Sequence, residues 1–160
     1  MKEIKLTQGQ VTTVDDTDYD WLNQWKWYAM KVCNTFYAVR NIRKSDGKQR
    51  KVLMHRVILG LKSSDPHEAD HRNGNGLCNK QNNLRIVTHA QNLHNQRPQK
   101  NCSSVYKGVC WKKQYAKWRA QIKKNKQETF LGYFDNEIDA AKTYDKAAKL
   151  FFGKFAQTNF

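Results

Sequence analysis

The chain has 160 residues, with 29 lysines and arginines against 14 acidic residues and a formal net charge of +15. That length fits one ordinary domain or two small ones, each with a thin core. No apolar run approaches a membrane span and the N-terminus MKEIKLTQGQ is not a signal peptide, so the expectation is a soluble, cytoplasmic protein with a polyanionic partner.

The segment up to Leu61 reads as strands: Glu3 to Thr7, Val11 to Val14, Phe36 to Ile42 and Lys51 to Ile58. Lys44-Ser45-Asp46-Gly47-Lys48 is a turn signal. Asp18 to Trp25 reads as a short helix with Trp21, Leu22 and Trp25 on one face. Residues 63–96 are dense in Asn, His and Gly. Asn73-Gly74-Asn75-Gly76 marks tight turning, and the strand Leu84 to Val87 follows. Thr88 and Gln91 are spaced as a helix capping box.

Residues 97–103 read as a polar linker around Pro98. Beyond it the composition shifts. From Pro98 to Lys126 there are nine Lys or Arg and no acid, interleaved with Tyr106, Trp111, Tyr115 and Trp118. A hairpin, a third strand from Thr129 to Phe134 and a helix capped by Asp135 and stopped by Gly153 complete the pattern. Cys33, Cys78, Cys102 and Cys110 form no C-x-x-C pair, which argues against a structural zinc and for free thiols.

Asp70-His71, Asn83-Leu84-Arg85 and Asn92 carry the sharpest chemical pattern. Hydrolysis of a phosphodiester needs a base for water and a cation for phosphate charge. A neutral histidine supplies the first, and carboxylate and amide oxygens hold a hard cation. On an extended segment Asp70 and His71 point to opposite faces.

The run from Met54-His55-Arg56 through Asp70-His71-Arg72-Asn73-Gly74-Asn75 to Asn83-Leu84-Arg85 and Gln91-Asn92 resembles the HNH homing-endonuclease family. The resemblance implies a ββα-metal site over about residues 68–96. It makes His71 the general base, Asn83 the loop-fixing asparagine, and Asp70 and Asn92 ligands of Mg²⁺ or Mn²⁺. Asn92 stands where many members carry His. His55 reads as a packed histidine and His67 as a loop residue. His89 and His94 flank Asn92, and Asn95 shares its face.

Residues 103–160 resemble the ethylene-response-factor (Apetala-type) DNA-binding domain. The carrying residues are Tyr106-Lys107-Gly108-Val109, Lys117-Trp118-Arg119-Ala120-Gln121-Ile122, Leu131-Gly132-Tyr133-Phe134, Ala140-Ala141, Tyr144-Asp145, Ala147-Ala148, Gly153 and Asn159-Phe160. The resemblance implies a three-stranded antiparallel sheet backed by one helix and entering the major groove. Lys107, Lys112, Lys117, Arg119, Gln121 and Lys123 match its groove-facing positions. Cys110 stands where an arginine is common, and lysine lacks the planar fork that reads guanine.

The sequence therefore predicts an α+β protein with a nuclease domain over 1–96, a linker over 97–103 and a DNA-binding domain over 104–160. The expected function is a metal-dependent endonuclease acting on double-stranded DNA, with no obligate protein partner. The alternatives are a non-catalytic, sequence-specific DNA-binding regulator and an RNA-binding protein.

Overall fold

The computed structural model describes residues 1–32, 35–43, 45–95, 103–124 and 127–160. The linker expectation at 97–103 and the thiols of Cys33 and Cys102 lie largely or wholly outside these residues, as does Lys44 of the expected turn. The chain divides into two compact units, Met1–His89 and Ala90–Phe160. The class is α+β, with several small, mostly antiparallel sheets and few helices. Among the described residues no helix is long and apolar enough to cross a membrane.

Among its described residues the first unit holds three small sheets. Strands β1 (Lys2–Lys5) and β2 (Val11–Val14) form an antiparallel pair, and helix α1 (Asp16–Leu22) follows. Strands β3 (Tyr28–Val32), β4 (Thr35–Arg43) and β5 (Gln49–Leu53) form an antiparallel meander. Helix α2 (Met54–Ile58) leads to β6 (Glu68–His71). The short β7 (Cys78–Asn79) runs parallel to β2, and β8 (Leu84–Val87) pairs antiparallel with β6. The core gathers Ile4, Leu6, Val14, Leu22, Trp27, Ala29, Ala38 and Met54.

Three local expectations change. Lys51 to Ile58 was expected as a strand, but β5 ends at Leu53 and Met54–Ile58 is helical. Met54, Val57 and Ile58 fall at helical spacing, and burying Met54 completely outweighs the β-branched composition. The helix expected at Asp18 to Trp25 starts two residues earlier and ends at Leu22. There Trp25 N donates to the carbonyl of Leu22, and Trp27 Nε1 donates to that same carbonyl. Strand β3 has no counterpart in the sequence reading.

Helix α3 (His89–His94) lies at the division between the units. In the second unit, β9 (Val109–Lys112), β10 (Lys117–Lys124) and β11 (Gln127–Phe134) form an antiparallel sheet with β10 in the middle. Helix α4 (Glu137–Phe152) packs on it. Its cap is Asn136, whose Oδ1 accepts from Ile138 N, and not Asp135 as expected. Asp135 instead faces Lys117, Nζ to Oδ1 2.8 Å. Val109, Ala120, Ile122, Ala140, Ala141, Tyr144 and Ala148 form the buried seam between sheet and helix.

Candidate nucleic-acid interface

Strand side chains alternate between faces, and directly paired residues share a face. Ala120 and Ile122 are buried toward α4. Hence Lys117, Arg119, Gln121 and Lys123 line the other face of β10. Lys117 pairs with Lys112 and Arg119 with Cys110, which adds β9 to the same face. On β11, Tyr133 opposes Arg119 and Phe130 opposes Gln121.

Phe130 and Tyr133 are three residues apart, so strict alternation would separate them. A register shift between Ala120 and Gln121 lets them share a face. Leu131, the residue absorbed by the bulge, packs into the core. The Phe130 and Tyr133 rings lie 5.0 Å apart, and Tyr115 lies 4.9 Å from Tyr133. Phe130, Tyr133 and Tyr115 are 51%, 40% and 50% exposed. The sequence reading missed Phe130 and Tyr133, because only the bulge reveals their common side.

Arg119 runs over Phe130, its guanidinium carbon 5.6 Å from the ring centroid, and its Nη2 donates to Glu128 Oε1 at 2.6 Å. Arg119 Nε and Gln121 Oε1 are buried without a hydrogen-bond partner. Trp111 opposes Trp118 and so belongs to the helix side of the sheet, with the rings 5.1 Å apart. Lys107 is set apart from the basic row. It precedes β9, its backbone N–H donates to Asn159 Oδ1, and burial lowers its ammonium pKa to about 8.

The first unit treats its expected site residues differently. Asp70 and Arg85 are directly paired across β6 and β8, and both are buried. Arg85 Nε and Nη2 each reach Asp70 Oδ2 at 2.7 Å. His71 is only 4% exposed. Its ring lies 4.9 Å from His55 and 5.8 Å from Tyr37.

The protonation of His71 follows from its partners. Thr12 Oγ1 donates to the carbonyl of Leu77 at 2.8 Å, so it accepts from Asn79 Nδ2. Asn79 Oδ1 then faces His71 Nε2 at 3.0 Å, which puts the proton on Nε2. Burial pushes the pKa of His71 down, although Asn79 and Asp70 oppose the shift. Burial, with His71 and Arg56 nearby, pushes that of His55 down to about 3. Asn83 ties the turn: its Oδ1 accepts from Asn73 N, and its Nδ2 donates to Asn73 Oδ1 and the Cys78 carbonyl. Asn79, the partner of His71, was not singled out, because it is one of many asparagines in a turn-rich segment. Asn92 is half-buried in α3 and belongs to the second unit.

No family model matches the chain. It is 45% identical over 58 residues to the AP2/ERF and B3 domain-containing transcription repressor TEM1 of Arabidopsis thaliana, covering 36% of this chain and 16% of that protein. It is 42% identical over 60 residues to APETALA2-like protein 2 of Oryza sativa subsp. indica, covering 36% and 14%. It is 38% identical over 60 residues to the AP2-like ethylene-responsive transcription factor ANT of Arabidopsis thaliana, covering 36% and 11%. The chain thus spans only a small part of the length of these relatives.

These findings correct the endonuclease expectation, since the relatives are transcription factors and a repressor. His71 and Asn83, expected in catalysis, and Asp70 and Asn92, expected at a metal, all lie among the described residues. His71 packs beside the His55 and Tyr37 rings, Asn83 holds the turn as expected of a loop-fixing asparagine, and Asp70 pairs with Arg85. The Mg²⁺ or Mn²⁺ cofactor is corrected likewise. Among the described residues no group of three or more His, Cys, Asp and Glu could hold a metal. Relatives over about 36% of the chain are AP2/ERF transcription factors, which supports an Apetala-type DNA-binding domain within it.

Proposed function

We propose that the protein is a sequence-specific regulator that binds double-stranded DNA through the open face of β9, β10 and β11. One observation carries this reading. Lys112, Lys117, Arg119, Gln121 and Lys123 project from one side of a sheet whose other side is sealed by α4. Lys112 and Lys117 stand directly opposite each other, an arrangement that costs stability unless anions relieve it; Asp135 Oδ1, 2.8 Å from Lys117 Nζ, does so in part. A phosphate backbone does so, and its displaced counterions add affinity. A β-sheet face fits the major groove, where base edges carry a readable pattern. The transcription-factor relatives support the same partner.

The test is charge reversal on two sides of the same unit. Lys123→Glu on the sheet and Lys142→Glu on the exposed side of α4 change the net charge equally. Fluorescence anisotropy with a duplex of mixed sequence should show at least a tenfold larger loss for Lys123→Glu, on the order of 1.4 kcal/mol. Equal losses would mean that net charge alone attracts DNA.

A further inference from the structure

The composition of this face points beyond DNA in general to a class of base pair. We infer that the sheet reads the thymine methyl group and the adjacent adenine, so that its sites are rich in A·T pairs. This rests on the proposed major-groove reading. Phe130, Tyr133 and Tyr115 form a contiguous exposed aromatic cluster beside the basic row of β10, with Phe130 and Tyr133 on the edge strand β11. Exposed apolar clusters of this kind mark contact surfaces. The surrounding lysines select a polyanion as the occupant, and the apolar groups on a duplex major groove are the thymine methyls.

Gln121 adds the second half of the code. It lies directly opposite Phe130 in the ladder, and its Oε1 is buried without a hydrogen-bond partner, so a rotation of the amide brings the acceptor to a base edge. An A·T pair presents an adenine N6 amine and a thymine methyl in the same groove. An amide acceptor beside an aromatic ring matches that pair. The competing chemistry is weakened, because the guanidinium that could fork onto guanine is tied to Glu128. Lysine does not replace that planar fork.

The experiment uses the full chain and a randomised duplex library. Selected sites are expected to be A·T-rich. One selected duplex is then resynthesised with each thymine replaced in turn by uracil, which removes only the C5-methyl. Loss of one contacted methyl should weaken binding roughly fourfold. Phe130→Ala, at an exposed position, should bind thymine and uracil duplexes equally. Uracil duplexes that bind the native chain as well as thymine duplexes would overturn the inference. So would a Phe130→Ala chain that keeps the full thymine preference. If no duplex is bound or enriched at all, the DNA-binding reading itself fails, a result distinct from either of these.

Discussion

Arg119 and Glu128 form an ion pair along the open face of the sheet, Nη2 to Oε1 at 2.6 Å, with the guanidinium crossing the ring of Phe130 on the way. The pair is partly exposed, so its worth to folding is about 0–1 kcal/mol. Its larger consequence is electrostatic. Glu128 cancels one positive charge on a surface proposed to meet phosphate.

Glu128→Gln should therefore raise affinity for duplex DNA of arbitrary sequence and steepen its salt dependence by about one unit in the log–log slope. Anisotropy titrations at several salt concentrations check this. In an Arg119→Ala background the gain should shrink, because the carboxylate no longer restrains a guanidinium. An undiminished gain would assign the effect to generic charge.

Gly108 sits at φ +78° just before β9, against the Tyr144 ring, and a Cβ there would also stand 2.8 Å from the Gln121 carbonyl oxygen. Gly108→Ala combines an unfavourable backbone region with overpacking at the seam of sheet and helix. The expected loss is roughly 2–4 kcal/mol in the second unit. Guanidinium denaturation followed by tryptophan fluorescence measures it.

Asn159 ties the last residues to the rest of its unit. Its Nδ2 donates to Asp145 Oδ1 at 2.9 Å, and its Oδ1 accepts from Lys107 N at 2.7 Å. Asp145 is buried. Asn159→Ala should cost about 1–3 kcal/mol through the groups left without partners. Asn159→Asp should cost more at neutral pH, since it sets a second carboxylate against Asp145. Denaturation midpoints of the two variants decide the order.

His55 and His71 predict an acid-sensitive first unit. Burial holds both pKa values below the ordinary histidine value, that of His55 at about 3. In the folded state both rings are neutral where the unfolded chain would already bind protons. Their neutral burial is therefore favourable above the unfolded pKa of about 6.5, and that stability is lost as pH falls from there toward the folded values. The slope should approach about 1.4 kcal/mol per pH unit for each group. His55→Gln should flatten the pH dependence between pH 6 and about 4. Urea unfolding across that range checks the slope, which separates titration from a simple loss of packing.

The sequence shows some of this plainly and hides the rest for physical reasons. Alternation along Lys117 to Lys123 makes a row of polar side chains legible, because the strand period is two. The aromatic half of the face is not legible, because it depends on a bulge that moves Phe130 and Tyr133 onto one side. Asp70-His71 stands out in the sequence because acid and imidazole are adjacent. What neutralises Asp70 is Arg85, fifteen positions away and brought opposite by the ladder. Met54–Ile58 has the composition of a strand but folds as a helix, with Met54 and Ile58, four positions apart, both packed on the core.

The central claim is that DNA meets the open face of the second unit's sheet. Amide hydrogen exchange across the chain, with and without saturating duplex, tests it most directly. The account predicts new protection centred on residues 109–124 and 127–134, with the exposed side of α4 unchanged. Protection confined to the first unit, with the three strands exchanging as they do without DNA, would contradict it.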